Sequence, residues 1–241
     1  MDNKKDLILT NSIKTAAFDN LSKFNIHHFP MIKIRSNKIK PFNLSNYDYY
    51  LFTSQNSVET FFDFPFVRVQ YEENIKAICA GLKTEKKLRY QGASIAFSSS
   101  SSYSFDLINE LFKKDFIKGS KIALATGNLT DYSKFEKLEE FASIDKIEVY
   151  QTIKNTRYEK NLDNLLKKGN SITVFASPSS FDAFTKIYDS TTTEIYSIGD
   201  TTSNYIKSKG FKVSTSKRQN FEALAHQISN TLNLWNFQQQ D

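Results

Sequence analysis

Short apolar runs that end in small polar turns recur along the chain, and most are followed by a stretch with helical spacing. DLILT at Asp6–Thr10, YYLFTS from Tyr49, AICAG from Ala77, SIAFS from Ser94, KIALAT from Lys121, KIEVY from Lys146, ITVFAS from Ile172, EIYSIG from Glu194 and FKVST from Phe211 all read as strands. Between them the apolar positions switch to a helical period, as at Ser12–Phe24, where Ile13, Ala16, Ala17, Phe18 and Leu21 share a side. Further helices are predicted at about Leu162–Lys168 and Phe221–Leu232, with the tail from Leu232 frayed. HHFPMIKIRS from His27 reads as an edge or connecting strand, because Pro30 cannot donate to a central ladder. QTIKNTRYEKN from Gln151 is polar and reads as a return link. Strands that alternate with helices predict parallel sheets with helices on both faces.

The pattern is stated twice. LFTSQNSVETFF at Leu51–Phe62 matches VFASPSSFDAFT at Val174–Thr185, and the segment from Ala77 matches that from Tyr196. In the second pair Gly199 minus Gly81, Thr202 minus Thr84 and Gly210 minus Gly92 all give 118. Self-similarity in one register marks a duplicated unit. Two copies predict two similar lobes with a cleft between them. KIALATGN at Lys121–Asn128 finds its partner at the N-terminus, in KDLILTN at Lys5–Asn11, so the halves are permuted. The expected lobes are therefore 1–35 with 153–241, and an inserted 36–152, with two crossing strands that could flex as a hinge.

Composition narrows the function by exclusion. Aromatic residues, 21 Phe and 12 Tyr against 1 Trp, supply much of the core, and the single cysteine, Cys79, excludes an internal disulfide. No apolar run approaches the ~18 residues of a membrane span, and no signal-peptide pattern follows MDNKKD, so a cytoplasmic location without membrane contact is expected. The net charge of +6 suits an anionic ligand, but solubility in a lysine-rich proteome is the simpler reading and the favoured one. Scattered basic residues without an arginine–aromatic pattern argue against nucleic acid. None of the 7 glycines forms a GxGxxG or GxxxxGK motif, and Cys79, His27, His28 and His226 have no metal-ligand spacing.

What recurs instead is hydroxyl-rich turns at the carboxyl ends of strands, the edge where ligands bind in open α/β sheets. Ser54 and Asn56 follow the strand from Tyr49, and Asn56 with Glu59 has the form of a capping box. Ser177, Pro178 and Ser179 occupy the same turn in the second copy, with Asp182 three residues beyond Ser179. Capping by Asn56 and Ser179 is compatible with ligand binding, because helix N-termini also offer N–H groups to carboxylates or phosphates. Gly81-Leu82-Lys83-Thr84 and Gly199-Asp200-Thr201-Thr202 form a second pair, with glycine for a tight turn and threonine as the cap. The serine run at Ser98–Ser102 reads as a mobile loop, and Lys83, Lys86, Lys87 and Arg89 as a solvated helix face.

FTSQNSVETF at Phe52–Phe61, GLKT at Gly81–Thr84, VYQT at Val149–Thr152, FASPSSFDAF at Phe175–Phe184 and IGDTTSNYIKSKGF at Ile198–Phe211 together resemble the uroporphyrinogen-III synthase family. The resemblance spans nearly the whole chain. It implies two flavodoxin-like lobes joined by a two-stranded connector, in a cofactor-free monomeric enzyme without a metal. The implied substrate is hydroxymethylbilane, a linear tetrapyrrole carrying acetate and propionate groups. The implied reaction is that of a cyclising hydro-lyase, which removes water, inverts ring D and closes the type III ring in haem biosynthesis. The resemblance also leaves room for a transient contact with hydroxymethylbilane synthase. Carried over by position, it gives Tyr150 the catalytic role of proton or hydrogen-bond donor to the departing hydroxyl, against the alternative of a core tyrosine. It gives Ser54, Asn56, Thr84, Ser177, Ser179, Thr201 and Thr202 to the substrate. Arginines common in the family are replaced at Thr10-Asn11 and at Thr126, which removes a carboxylate clamp there.

Two other readings share the two-lobed architecture: a hinge-closing binding protein for a small anion, and an inactive synthase paralogue. Neither needs chemistry at Tyr150.

Overall fold

Successive side chains of each central strand go to opposite helical layers, so the strands are apolar on both faces, as buried parallel strands must be. The computed structural model describes residues 4–70 and 75–238, with side chains as far as residue 231. Its elements are β1 (Lys5–Leu9), β2 (Phe24–His28), β3 (Ile32–Ser36), β4 (Tyr49–Phe52), α1 (Gln55–Asp63), α2 (Pro65–Val69), β5 (Lys76–Ala80), α3 (Leu82–Tyr90), β6 (Ser94–Ser99) and α4 (Ser104–Lys114). They continue with β7 (Lys121–Gly127), α5 (Glu136–Glu139), β8 (Ser143–Lys154), α6 (Lys160–Lys167), β9 (Ser171–Phe175), α7 (Pro178–Thr185), β10 (Glu194–Ser197), α8 (Asp200–Ser208), β11 (Ser214–Thr215) and α9 (Phe221–Gln238).

The chain divides into two units, Met1–Lys33 with Ile153–Asp241, and Ile34–Thr152. The first holds a sheet in the order β11-β10-β9-β1-β2, the second a sheet in the order β3-β8-β7-β4-β5-β6. The ladders β1–β2, β1–β9, β9–β10 and β10–β11 are parallel, as are β4–β5, β4–β7, β5–β6 and β7–β8. With β1 matched to β7 and β9 to β4, the two orders coincide: β11-β10-β9-β1-β2 corresponds to β6-β5-β4-β7-β8. Counted from its own first strand, the first unit has the flavodoxin order 2-1-3-4-5, and the second is its circular permutant, 3-2-1-4-5. This is the permutation that the KIALATGN/KDLILTN match predicts. Strand β3 is the sixth member of the second sheet, beside β8; Arg35 Nη2 donates to Gln151 Oε1 at 2.9 Å and Asn37 N–H to Val149 O at 2.9 Å. Rising numbers on one strand meet falling numbers on the other, so this ladder is antiparallel, and it forms the two-stranded connector.

Each unit has a core on either side of its sheet. In the second unit Tyr50, Phe52, Ala77, Cys79, Ala123 and Ala125 pack against Val58, Phe61 and Phe62 of α1 and Leu88 of α3. The alternate residues Leu51, Ile78, Ala80, Ile122 and Leu124 meet Leu107, Ile108 and Leu111 of α4. In the first unit Ile8, Phe175 and Ile195 face Leu162, Leu166, Phe181, Phe184 and Ile206. Leu7, Leu9, Ile172, Val174 and Tyr196 face Phe18, Leu224 and Ile228.

Four local expectations are corrected. The predicted helix at Ser12–Phe24 is reduced to one 3-10 turn at Ala16–Phe18. The Asn11 amide donates to Ile13 O and Thr15 Oγ1 accepts the Ala17 N–H at 3.3 Å, so polar side chains capture the backbone groups a helix needs. Phe18 remains fully buried, edge-on to Phe221 of α9 at 5.9 Å. The predicted edge strand from His27 is two strands, β2 and β3, broken around Pro30. The return link from Gln151 is strand as far as Lys154, within the long β8. Helix α9 continues through the expected frayed tail to Gln238, and residues 239–241 lie outside the described ones. No helix among the described residues is long and apolar enough to cross a membrane.

Candidate functional site

The two copies of the β–turn–α unit end in the same hydrogen-bonded device. Ser54 is extended (φ −152°), and its Oγ accepts the Ser57 N–H at 3.1 Å while Ser57 Oγ donates to Ser54 O at 2.8 Å. At the start of α7, Ser177 Oγ accepts the Ser180 N–H at 3.2 Å and Ser180 Oγ donates to Ser177 O at 2.8 Å. The caps are therefore Ser54 and Ser177, two residues before the predicted Asn56 and Ser179, which sit in the first turns. A serine at the third helical position replaces the glutamate of the ordinary capping box, and Glu59 pairs with Lys87 instead.

Capping leaves the first N–H groups of each helix over. In α1 these belong to Gln55 and Asn56; in α7 Pro178 has none, so Ser179 supplies the remaining one. Neither helix has an acidic residue in its first turn, whereas α8 opens on Asp200 and α3 carries Glu85. An anion is therefore favoured at α1 and α7 over the other two N-termini. Ser54→Ala or Ser177→Ala should each lower stability by about 1 kcal/mol, read from the urea midpoint, because one buried N–H loses its acceptor. A midpoint equal to that of the unsubstituted protein would mean the cap is already replaced by water.

The second pair of turns is also corrected. The caps of α3 and α8 are Gly81 and Gly199, with no side-chain bond, and Thr84 and Thr202 are third helical residues, 5% and 3% exposed. Their burial fits packing; Thr201 is exposed. Gly81 has φ +79°, and a Cβ there would lie 2.9 Å from Ser102 Oγ, so only glycine suits the turn. The serine run is a hydrogen-bonded turn rather than a free loop. Ser99 is buried, donates to Glu110 at 3.1 Å and accepts the Ser101 N–H at 3.1 Å, while its carbonyl takes the Gly81 N–H at 3.0 Å.

Tyr150, the eighth of the 12 residues of β8, stands opposite the carboxyl end of β7, half-buried, with its ring against the core around Tyr50 and Phe52. It lies opposite Gly127 where the β7–β8 register shifts between Thr126 and Gly127. A Cβ on Gly127 would fall 2.4 Å from the ring's Cζ and 2.9 Å from its hydroxyl. The next residue completes the seat: Asn128 N–H donates to Tyr150 O at 3.1 Å, and Asn128 Oδ1 accepts the Thr152 N–H at 2.8 Å. Among the described residues none hydrogen-bonds the Tyr150 hydroxyl. The two positions without the expected arginine have internal duties. Thr10 Oγ1 donates to Val174 O at 2.7 Å, and Thr126 Oγ1 pairs with the Tyr132 hydroxyl at 2.9 Å.

Ser54, Asn56, Thr84 and Tyr150 thus belong to the carboxyl edge of the second unit's sheet, and Ser177, Ser179, Thr201 and Thr202 to that of the first. Sequence reading missed Ser57, Ser180 and Gly127. The first two were accessible as serines three residues after Ser54 and Ser177, but Gly127 is recognisable only from the register of β8. It also placed Asp182 only by its spacing from Ser179 and missed its partners, for the carboxylate accepts from Lys154 at 3.0 Å and from the Tyr205 hydroxyl at 2.5 Å. Burial pushes the Asp182 carboxyl up, but the bonds from Tyr205 and Lys154 outweigh it and hold the group below the usual range. Its contribution to stability is therefore present above the ordinary carboxylate pKa, near pH 4, and is lost as pH falls through the lower folded value. Asp182→Asn should cost about 1 kcal/mol at pH 7 and reduce the loss of stability on acidification, seen by comparing urea midpoints at pH 7 and pH 3. An unchanged acid limb would assign that loss to other carboxylates.

No group of three or more His, Cys, Asp or Glu among the described residues is placed to hold a metal ion. A family model described as uroporphyrinogen-III synthase HemD matches residues 15–226. Uroporphyrinogen-III synthetase from Helicobacter pylori superposes with a TM-score of 0.70 at 18% identity, over 95% of this chain and 99% of that one. A mutant uroporphyrinogen III synthase from the extremely thermophilic bacterium Thermus thermophilus superposes with a TM-score of 0.67 at 11% identity, over 95% and 99% of the two chains. At these identities the superpositions establish the fold. No curated protein matches the chain significantly.

Proposed function

The chain belongs to the uroporphyrinogen-III synthase family of tetrapyrrole biosynthesis, and we propose that it acts as a cyclising hydro-lyase on hydroxymethylbilane, with Tyr150 as the proton donor. The observation that carries the reading is the family match over residues 15–226. The geometry adds a reason for Tyr150: a tyrosine held in a glycine-floored seat, with a hydroxyl that no described residue occupies.

In this reaction the terminal C–O bond of the bilane breaks and the hydroxyl leaves as water, taking one proton. A hydroxymethylpyrrole expels that group readily to give an electrophilic azafulvene, so little acid catalysis is required. The difficult step is directing attack to the already substituted carbon of ring D, through a spiro intermediate. Positioning and charge stabilisation supply most of what the protein must contribute. In our reading the groups able to take an acetate or propionate are, in the second unit, the N–H groups of Gln55 and Asn56 with the Ser54 hydroxyl, and, in the first unit, the Ser179 N–H with the hydroxyls of Ser177 and Ser179. Exposed Thr201 adds a further hydroxyl, while Thr84 and Thr202 support their turns from below. The protein would work as a monomer. Because the free bilane closes spontaneously to the type I ring, transfer directly from hydroxymethylbilane synthase would protect the yield of type III.

The test is to supply fresh hydroxymethylbilane, oxidise the products and separate the uroporphyrin isomers. A protein-dependent excess of type III is expected, since only inversion of ring D produces it. Type I alone, from folded protein, would leave an inactive member of the family or a binding protein for a small anion.

A further inference from the structure

Exposed large apolar side chains are distributed unevenly. Of the eight among the described residues, Ile13, Leu82, Tyr103, Phe105 and Leu129 all lie in the segments just beyond the carboxyl ends of strands β1, β5, β6 and β7. Three of these belong to two adjacent strand ends of the second unit: Leu82 is 61% exposed, Tyr103 41% and Phe105 67%. Strands β5 and β6 are paired up to Ala80 and Ser99, and the turns that follow touch. A Cβ on Gly81 would lie 3.2 Å from the Ser102 Cα, and Leu82 and Tyr103 are the next residues on each side. Phe105 follows in the first turn of α4. The turn beneath is fixed by hydrogen bonds, with Ser101 Oγ donating to Asp106 and accepting the Tyr103 N–H at 3.2 Å. None of the three belongs to the core on either face of the sheet.

We propose that Leu82, Tyr103 and Phe105 form an apolar shelf at the carboxyl edge of β5 and β6 on which a pyrrole ring of the tetrapyrrole lies flat. This rests on the functional reading above and adds to it the part of the ligand that carboxylate-binding groups do not explain. Each pyrrole is a flat apolar ring with charged groups at its rim. It matches a surface with aromatic and aliphatic faces beside the exposed, cationic Lys83. A purely polar anion would gain nothing from the shelf. The three residues are therefore positioning residues for the ring.

The double variant Leu82→Ser with Phe105→Ser should fold normally, because both side chains are largely exposed. Its KM for hydroxymethylbilane should rise about tenfold, the effect of losing one ring's apolar contact, with kcat changed much less. Leu82→Met with Phe105→Tyr should keep the original KM. Equilibrium binding of uroporphyrin, followed by quenching of its fluorescence, gives a readout that does not need turnover and should weaken by a similar factor. A KM and a uroporphyrin affinity within twofold of the unsubstituted protein would overturn the shelf while leaving the synthase reading intact. Absence of type III product with weakened uroporphyrin binding in the double variant would do the reverse. Self-association that the double variant abolishes, with uroporphyrin binding unchanged, would assign the patch to a second copy of the chain and also overturn the proposal.

Discussion

Gly127→Ala should both destabilise this protein and slow its turnover, through the addition of a single methyl group. Its Cβ would fall 2.4 and 2.5 Å from two carbons of the Tyr150 ring, far inside contact distance. The ring cannot swing freely away, because its other side lies against the core around Tyr50 and Phe52 and its backbone carbonyl is held by Asn128 at 3.1 Å. Either Tyr150 leaves its seat or the β7–β8 pairing opens. Overpacking of this kind costs about 1–3 kcal/mol. If Tyr150 is the proton donor, a displacement of about 1 Å should also lower type III turnover on the order of 10²-fold. Gly119→Ala and Gly210→Ala are the controls. Both have positive φ, at +72° and +86°, but nothing within 4 Å of the added carbon. They should lose roughly 1 kcal/mol through backbone strain and keep full turnover. If Gly127→Ala behaved like these two, the close approach to Tyr150 would have no functional meaning.

The same residue shows what a sequence can and cannot reveal here. The fold was legible because it depends on patterns that survive divergence. Period-two apolar runs such as Tyr50-Leu51-Phe52 split between the two cores, and the KIALATGN/KDLILTN match located β7 and β1 as equivalent strands in permuted orders. The helix expected at Ser12–Phe24 failed because its apolar spacing is genuine but Asn11 and Thr15 capture backbone groups at its start. Periodicity does not register that competition. At the site, residue types were legible but their roles were not. Ser54 and Asn56 are two residues apart, and only the hydrogen bonds distinguish the cap from the first-turn residue. Thr84 and Thr202 stood out through the repeat, yet the repeat preserves packing as faithfully as chemistry, and both are buried. Gly127 was invisible as a partner of Tyr150, because the register shift that brings them together is a property of the β7–β8 pair and not of either segment.

Tyr150→Phe separates chemistry from packing more cleanly than any other change. The phenyl ring fills the same seat over Gly127, and no described group loses a hydrogen bond when the hydroxyl goes. The melting temperature should therefore stay within about 2 °C of the original, since neither a cavity nor an orphaned polar atom is created. A positioned general acid contributes about 10²–10⁴-fold. The hydroxyl of a hydroxymethylpyrrole departs with little help, so the loss should lie near the lower limit, about 10²-fold in kcat, with KM nearly constant. The substrate provides an internal clock, because spontaneous closure to type I continues at its own rate in the same tube. At matched concentrations of folded protein, a falling ratio of type III to type I thus reports the loss of synthase turnover directly. Unchanged type III formation would remove Tyr150 from the mechanism. A lowered melting temperature with normal turnover would make it a core tyrosine that happens to face the edge of the sheet, and the departing water would then have to take its proton from solvent or from the substrate's own carboxyl groups.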